Sequence, residues 1–162
     1  MNFVSSSIGS LTNPSKLSNT FASVKQQRVA SSTITQYLDY FIDAFILSKA
    51  YRYDIKGRKY IDTPLKYYFT DVGLRNARLN FRQQEENHIM ENILYNELTL
   101  REYDVDVGVV EYNYKTEDKK SRRAQLEVDF IANKNIIPWH DEKGILYLGI
   151  EDFLLDEAAM DR

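Results

Sequence analysis

The sequence predicts an α+β fold for this chain of 162 residues. Apolar residues recur at helical spacing within the first fifty residues and again after residue 85, which predicts helices in both places. Runs rich in tyrosine and isoleucine flank Lys56-Gly57, a glycine-containing turn typical of a β-hairpin. Farther along, residues 125–133 (QLEVDFIAN) alternate apolar and acidic side chains, as a half-buried strand does.

Composition narrows the class of protein. Hydrophobic residues make up 43% and charged residues 28% of the chain, as in a soluble globular protein. The absence of cysteine excludes disulfides and cysteine-ligated metal sites and favours a cytoplasmic location. The N-terminus lacks a signal-peptide pattern, and no apolar run approaches the roughly 20 residues of a membrane span, so no membrane association is expected.

The charge distribution predicts local patches. A net charge of −3 is not the signature of a nucleic-acid-binding protein as a whole. However, lysine and arginine dominate the charged residues between positions 13 and 82, whereas aspartate and glutamate dominate residues 141–162. A basic front half and an acidic tail indicate separate surfaces of opposite charge.

Two helices are predicted before the hairpin. Asn13-Pro14-Ser15 is a helix start, with an asparagine cap and a proline in the first turn, and the helix continues to about residue 24. Ser31-Ser32-Thr33 offers a second cap before a longer helix over residues 33–49. The apolar positions of this second helix are Ile34, Leu38, Phe41, Ile42, Phe45 and Ile46.

A helix pair followed by a basic hairpin predicts a winged-helix unit over residues 1–62. In such a unit the second helix enters the major groove of DNA while the hairpin contacts phosphates. The alternatives stay open, because many winged helices bind proteins and exposed basic residues also protect strand edges. The predicted nucleic-acid-binding residues are Ser31, Ser32, Thr33, Thr35 and Gln36 on the helix and Arg52, Lys56, Arg58 and Lys59 in the hairpin.

The next segment, residues 63–84, is predicted to link two domains. Thr63-Pro64 breaks the hairpin, and residues 66–70 (KYYFT) then form a short strand. A tight turn after Asp71 leads into a short helix. Residues 85–162 form the second domain, which starts with a helix over residues 85–101 and continues with strands over 104–108, 109–114 and 125–132.

Acidic residues of the second domain are candidates for a site. Glu91 lies on the flank of the helix's apolar stripe, whereas Glu97 lies near its centre and must be paired, hydrated or shifted in pKa. Alternation places Leu126, Val128 and Phe130 on one strand face and Glu127 and Asp129 on the other. The alternatives to a functional site stay open. A helix glutamate is more often solvated or salt-bridged than catalytic, and the strand could simply be half-buried with a solvated acidic face.

A helix glutamate beside a strand aspartate is the arrangement with which a restriction-endonuclease-like core holds Mg²⁺ against a phosphate. Glu91, Glu127 and Asp129 are therefore the candidate catalytic residues, and Glu91 and Asp129 the candidate metal ligands. His88, three residues before Glu91, would be a neighbour of such a site. His140 is more typical of a surface turn than of a metal site.

Several segments carry a family resemblance, among them SSSIGSLTNPSKLSNTF, KYYFTDVGLRNARLNFRQQEENHIMENILYNEL and QLEVDFIAN. They resemble the C-terminal domain of unknown function that follows an AAA-type ATPase module in bacterial and archaeal ATP-binding proteins. The resemblance covers nearly the whole chain. It implies a winged helix followed by a degenerate restriction-endonuclease-like domain, in which Glu91 and Asp129 match the helix glutamate and the strand aspartate. It also implies an ATPase or another protein as partner.

Two departures from that family pattern predict a shortened, inactive form. The six glycines never frame the phosphate-binding loop GxxxxGK[ST], so the chain lacks that route to ATP. In the family, the strand that ends near Asn133 is followed by a strand with the third motif, an acidic or amide residue and a lysine. Here that strand is replaced by residues 138–142, which resemble the end of the family domain. A truncated nuclease-like domain would lose a metal ligand and the base that orients water.

The resemblance, taken with these two departures, implies a non-catalytic, nucleic-acid-associated module of an AAA-type ATP-binding protein with a vestigial nuclease-like site. No cofactor is expected, apart from Mg²⁺ if the site were active. One alternative is a metal-dependent nuclease in which Glu127 or Lys134 replaces the missing motif. The other is a protein-interaction module that does not bind nucleic acid. An exposed edge beside Val128 and Phe130 would favour a homodimer.

Overall fold

Helices and one four-stranded sheet make up residues 2–82, 86–115 and 121–133, which are the residues that this computed structural model describes. The α+β class is confirmed. In chain order the elements are α1 (Asn2–Ser5), α2 (Pro14–Lys25), α3 (Ser31–Asp43), β1 (Leu47–Asp54), β2 (Lys59–Phe69), α4 (Val72–Arg78), α5 (Glu86–Leu100), β3 (Asp104–Lys115) and β4 (Ser121–Asn133).

The sheet joins two hairpins in the order β2-β1-β3-β4. Strand β1 is antiparallel to β2, β3 is antiparallel to β4, and β1 is parallel to β3. The parallel pairing is short and matches Arg52 with Val107 and Asp54 with Val109. The predicted boundary between residues 62 and 63 lies inside β2. How the chain divides into domains stays a prediction.

Strand β2 passes through the predicted break at Thr63-Pro64, so that prediction is wrong. The register shifts there, because residues 62–65 lie opposite Tyr51 alone on β1. Leu65 pairs instead with Thr12, whose N–H donates to the Leu65 carbonyl at 2.8 Å and whose carbonyl accepts from Leu65 at 2.9 Å. The irregularity accommodates the proline, which has no N–H to donate to a neighbouring strand.

The helix ends show which local signals the fold uses. Asn13 caps α2 as predicted, since its Oδ1 accepts a hydrogen bond from the backbone N–H of Lys16 at 2.7 Å. Helix α3 begins after Ala30, which makes no side-chain cap, so the predicted serine cap is not used. The predicted extension of this helix to residue 49 is also wrong. The helix ends at Asp43, and Phe45 turns the chain with a φ of 55° before β1 begins.

The region after α5 differs in detail from the sequence prediction. The strands predicted over 104–108 and 109–114 form a single strand, β3. In β4 one extra residue lies between the pairs Asp106–Ile131 and Gly108–Val128. This β-bulge interrupts the simple alternation expected there. Predictions for residues 134–162, including strand 144–150, the helical turn after it, His140 and the missing third motif, lie outside the described residues.

The bulge brings Phe130 into the core beneath α5. Its ring centroid lies 6.1 Å from that of Tyr68 and 6.3 Å from that of Tyr95. The rings of Tyr68 and Tyr95 stack at 4.3 Å. Alternation had placed Phe130 on the face opposite Asp129, and this prediction is wrong. Leu126 and Val128, in contrast, are 56% and 41% exposed.

Strand β2 is an edge of the sheet, and other parts of the chain occupy its outward hydrogen-bonding groups. Near its end, the fully buried amide of Asn92 on α5 pairs with the backbone of Phe69. Asn92 Oδ1 accepts from the Phe69 N–H at 2.9 Å, and Asn92 Nδ2 donates to the Phe69 carbonyl at 2.8 Å. Asn96 donates to the same carbonyl at 3.0 Å. The amide thus replaces a neighbouring strand and fixes α5 along the sheet edge.

We predict that Asn92→Ala lowers the free energy of unfolding by about 2–3 kcal/mol, because it leaves the buried Phe69 N–H without an acceptor. Urea denaturation measures the change. Asn19→Ala, at an exposed position of α2, is the matched control and should change stability by less than about 0.5 kcal/mol. Equal effects of the two substitutions would contradict the assigned role of Asn92.

Candidate functional site

The candidate site is built around Lys66 of β2. Its Nζ lies 2.8 Å from Glu91 Oε1 on α5, 2.8 Å from Glu127 Oε1 and 3.4 Å from Asp129 Oδ1, both on β4. The lysine side chain is only 3% exposed. An ammonium group has three N–H donors, and three carboxylates surround this one. Its hydrogen-bonding capacity is therefore fully used within the chain.

Strand pairing explains how a lysine on one edge strand reaches carboxylates on the other. Lys66 pairs across the sheet with Ala50 of β1, so both side chains point to the same face. Ala50 is fully buried, and its single methyl group leaves space above β1. On β4, Glu127 is the residue paired with Val109 of β3. The long lysine side chain thus lies across the face of the sheet that α5 covers.

Glu91 is the most buried of the three carboxylates, with 13% of its side chain exposed. Tyr68 OH donates a hydrogen bond to Glu91 Oε1 at 2.6 Å. On the other side, His88 Nδ1 lies 3.7 Å from Glu91 Oε2. Gly9, with a φ of 68°, approaches so closely that a Cβ there would lie 2.8 Å from Glu91 Oε2. Glycine meets both requirements, the positive φ and the close contact.

Protonation equilibria at the site favour the uncharged tyrosine and the charged lysine. Burial opposes the charge of Lys66, but hydrogen bonds to Glu127 and Glu91 outweigh that penalty and raise the pKa of the lysine. Burial, and then the hydrogen bond to Glu91, raise the pKa of Tyr68 strongly. At neutral pH neither group is a base or a nucleophile, because both keep their protons. The arrangement is therefore suited to holding β2, α5 and β4 together by ion pairs.

The Mg²⁺ site implied by the family resemblance does not fit these residues as they are arranged. A divalent ion held between Glu91 and Asp129 would lie next to the Lys66 ammonium, which already contacts one oxygen of each carboxylate. Two cations on the same pair of carboxylates would repel each other strongly in a partly buried site. In addition, the described part of the chain contains no group of three or more His, Cys, Asp or Glu residues that could hold a metal ion.

The sequence predicted the partnership of Glu91 with Asp129 but missed the residues that join them. Both carboxylates reach the same atom, Lys66 Nζ. The sequence predicts Lys66 and Tyr68 only as parts of the short strand over residues 66–70. The available signal was a single charge within a run that is otherwise typical of a buried strand. Glu97 lies apart from the site and is paired, as required, with Arg101, whose Nε donates to it at 2.8 Å.

The hairpin residues predicted to bind nucleic acid divide into two groups. Lys56, Arg58 and Lys59 are exposed at the β1–β2 tip, where Asp54 Oδ1 accepts from the N–H groups of Lys56 and Gly57 and shapes the turn. Arg52 is only 4% exposed, and its Nη2 donates to Gln125 Oε1 on β4 at 3.0 Å. The expectation that Arg52 is exposed with the others is wrong, because the pairing of β1 with β3 makes β1 an inner strand.

The predicted recognition helix, α3, has a polar and aromatic surface. Of its predicted contact residues, Thr33 is half-buried and Ser31, Ser32, Thr35 and Gln36 are exposed. Tyr37 and Tyr40 are 55% and 62% exposed. The helix contains no lysine or arginine, whereas Asp39 and Asp43 are exposed. Lysine or arginine side chains that contact phosphates near this helix must therefore come from other elements.

Comparison with known proteins places the chain in a family. Residues 1–85, more than half of the chain, match the family described as a domain of unknown function (DUF8612). The chain belongs to this family. This confirms the expected likeness to a domain of unknown function, and the DUF8612 segment contains the elements from α1 to α4. The link to an AAA-type ATPase and the restriction-endonuclease-like domain stay predictions.

A longer relative extends the likeness beyond the DUF8612 segment. An uncharacterized protein of Haemophilus influenzae is 40% identical over 134 residues. The match covers 82% of this chain but 30% of the relative, so the chain spans less than a third of that protein's length. No solved structure matches the chain. Within the described residues, no helix is long and apolar enough to cross a membrane.

We predict different effects for two carboxylates of the site. Glu91→Gln should lower the free energy of unfolding by about 3 kcal/mol, because it breaks a buried ion pair with Lys66. The side chain of Asp129 is 71% exposed, and Asp129→Asn should change stability by less than about 1 kcal/mol. Both replace a carboxylate with an amide, so each is the control for the other in urea denaturation. A larger loss for Asp129→Asn would contradict the assignment.

Stability should fall at alkaline pH. The raised pKa of Lys66 means that its contribution is fully present below its ordinary pKa of 10.5 and is lost as pH rises through its folded-state pKa. The raised pKa of Tyr68 acts in the same direction, from an ordinary value of 10.0. Urea unfolding measured from neutral to alkaline pH should show this decline, and Tyr68→Phe should reduce it. A decline already complete below about pH 9 would contradict the prediction.

Proposed function

We propose that this chain is a non-catalytic, nucleic-acid-associated module of a cytoplasmic AAA-type ATP-binding protein, with a vestigial nuclease-like site. One observation carries the nucleic-acid part of the proposal. Lys56, Arg58 and Lys59 project together from the β1–β2 tip and are all exposed. Within the residues that the structure describes, none of the three is in an ion pair with a carboxylate. Their charges are therefore available to phosphates.

One further basic group, Arg123 of β4, lies near this tip. Just before the tip, the Ile55 N–H donates to the Val109 carbonyl at 2.9 Å, which brings the β1–β2 turn beside β3. Lys56 and Arg123 line one groove between the two hairpins. Arg123 is also ion-paired with Glu111, so its charge is shared. This end of the molecule would contact the phosphate backbone without reading its sequence.

The order of elements supports the winged-helix interpretation of residues 1–62. Helix α1 is followed by Thr12, which pairs with Leu65 of β2, and then by α2, α3 and the β1–β2 hairpin. Winged helices have the same order of elements, namely a helix, a short strand, two helices and a two-stranded wing. In this arrangement the exposed polar start of α3 and the basic tip belong to one recognition unit.

The non-catalytic part of the proposal rests on Lys66. A nuclease site needs carboxylates that can bind a metal ion, and here an internal ammonium contacts Glu91, Glu127 and Asp129. The nuclease alternative, with Mg²⁺ as its cofactor, is correspondingly weaker. The proposed partners are DNA and an ATPase module elsewhere in the assembly. A homodimer through β4, where Leu126 and Val128 are exposed, belongs to the same proposal.

A second candidate function, protein binding without nucleic acid, is favoured by one observation. The exposed face of α3 combines Tyr37 and Tyr40 with Asp39 and Asp43 and has no cation. Phe45, just after this helix, is 83% exposed. Exposed aromatic side chains beside acidic ones suit a basic protein surface better than a phosphate backbone.

We predict that the chain binds duplex DNA and that Lys56→Glu combined with Lys59→Glu weakens binding at least about tenfold and reduces the salt slope by about 2. Fluorescence anisotropy between about 50 and 200 mM salt measures both quantities. Arg78→Glu combined with Arg82→Glu is the matched control, because it makes the same charge change at exposed positions in and just after α4.

The outcome also separates the two candidate functions. Salt-independent binding, or equal losses for the two double variants, would refute phosphate contact by the hairpin tip. If no duplex is bound but a protein partner is retained through Tyr37 and Tyr40, the second candidate function is supported. Substitution of both tyrosines by serine should then abolish that interaction while leaving the fold intact, because both side chains are more than half exposed.

A further inference from the structure

The face of the sheet opposite α5 carries exposed tyrosine side chains. Strand pairing places Tyr53 of β1 beside Gly108 of β3, and Gly108 beside Val128 of β4, so these positions share one face. Alternation along β3 brings Tyr112 and Tyr114 to the same face, where they are 40% and 43% exposed. We call this surface the tyrosine face and define it by Tyr53, Tyr60, Tyr112 and Tyr114.

We infer that the tyrosine face binds single-stranded DNA, with bases stacked on the tyrosine rings and phosphates beside the neighbouring basic side chains. This surface adjoins the hairpin tip that is proposed to contact duplex phosphates, but it would bind another form of nucleic acid by another kind of contact. Only the choice of DNA over RNA rests on the proposed function. Stacking on the rings does not depend on duplex binding.

In the first hairpin the rings form a connected group. The ring centroid of Tyr60 lies 6.2 Å from that of Tyr51 and 5.2 Å from that of Tyr53, and both pairs meet edge to face. Tyr60 OH donates to Asp106 Oδ2 on β3 at 2.9 Å, which holds the ring across β1. A ring that is already fixed loses less conformational freedom when a base stacks on it. The group is therefore preorganised for stacking.

The second hairpin extends the tyrosine face beyond the rest of the sheet. The pairing of β1 with β3 reaches Val109, whereas β3 continues to Lys115 and, within the described residues, pairs there with β4 alone. Tyr112 and Tyr114 lie on this two-stranded ribbon, with ring centroids 6.1 Å apart. From the level of Tyr53 to Tyr114 the strand rises about 20 Å. This length is comparable with the smallest single-strand sites, of about 4 nucleotides.

Basic side chains border the rings at the tip end of both hairpins. Arg122 of β4 pairs with Tyr114 across the ribbon and is exposed. Lys59 directly precedes Tyr60, and Lys115 directly follows Tyr114; both lysines are exposed. Because β1 and β3 are parallel, the two hairpin tips lie at the same end of the sheet. A strand stacked on the rings would therefore bring its phosphates beside these cations.

Acidic side chains lie at the other end of the tyrosine face. Asp104 and Asp106 are on the same face of β3, away from the tips, and Asp106 accepts the hydrogen bond of Tyr60. Lys49 lies at this end, with its Nζ 5.3 Å from the ring centroid of Tyr51. Phosphates avoid carboxylates, so the bound strand is expected to run towards the tips rather than over Asp104.

The charges around the rings distinguish this surface from the exposed tyrosine pair on α3. Tyr37 and Tyr40 have ring centroids 6.4 Å apart, but they lie beside Asp39 and Asp43 on a helix without lysine or arginine. Rings beside carboxylates suit a basic protein surface. Rings bordered by arginine and lysine suit bases joined by phosphates. The charge complementarity is what assigns a DNA strand, rather than a protein, to the tyrosine face.

Fluorescence anisotropy with labelled oligothymidylate of about 12 nucleotides, at low salt, tests the inference. Wild-type protein should bind this strand. Tyr112→Ala combined with Tyr114→Ala should weaken binding at least about tenfold, because two stacking surfaces are lost. Tyr112→Phe combined with Tyr114→Phe should bind within about threefold of wild type, since the rings remain.

The matched control is Tyr37→Ala combined with Tyr40→Ala, which removes an exposed tyrosine pair from α3 instead. This variant should bind oligothymidylate as wild type does. Arg122→Glu tests the tyrosine face without removing a ring, so it remains informative if the alanine pair on β3 does not fold. It should weaken binding at least about threefold and lower the salt dependence.

Several outcomes would overturn the inference. The first is a wild-type protein that does not bind oligothymidylate, and the second is equal loss of binding for the two alanine pairs. The third is a dimer, seen by size-exclusion chromatography, that the Tyr112 and Tyr114 alanine pair dissociates, because a second copy would then cover the face. Oligouridylate bound at least about tenfold more tightly than oligothymidylate would overturn the assignment to DNA.

The duplex titration separates this inference from the proposed function. Paired bases stay stacked inside a duplex, so the Tyr112 and Tyr114 alanine pair should leave duplex binding unchanged. If oligothymidylate binds through the rings but duplex DNA does not bind, the duplex contact of the hairpin tip is refuted and the tyrosine face is supported. If duplex DNA binds through Lys56 and Lys59 but oligothymidylate does not bind, the reverse holds.

Discussion

The buried ion pair between Lys66 and Glu91 is the interaction on which the arrangement of α5 over the sheet depends. It links β2 at one edge of the sheet to the helix, and through Glu127 and Asp129 it extends to β4 at the other edge. The next residue of the helix, Asn92, is bonded to the backbone of Phe69. Two consecutive residues thus hold α5, one by charge and one by amide geometry. The stacked rings of Tyr68 and Tyr95 fill the space beside them.

Local patterns in the sequence predict most elements because their causes are local. The asparagine cap of α2, the turn around Lys56-Gly57 and the amphipathic α5 all depend on neighbours within a few residues. The end of α3 was missed because the apolar spacing continues beyond Asp43, whereas pairing with β2 makes the following residues a strand. Tertiary pairing overrides helical periodicity there.

The site could be predicted only in part, for the same reason. Glu91 and Asp129 carry recognisable patterns, but the role of Lys66 depends on the strand order, which no local spacing reveals. The burial of Arg52 follows from the parallel pairing of β1 with β3, and the position of Phe130 follows from a bulge in β4. Each of these depends on contacts between residues that are far apart in the chain.

The parallel pairing of β1 with β3 has a consequence for the DUF8612 segment considered alone. That segment ends at residue 85, before β3 begins, yet β1 lies inside the sheet of the longer chain. Cut at that boundary, the domain would present the edge of β1 at Arg52–Asp54 to solvent with unpaired backbone groups, and Arg52 would lose its hydrogen-bond partner Gln125 on β4. Such an edge invites another strand to add to it. The unit defined by sequence similarity is therefore smaller than the unit that completes its own sheet.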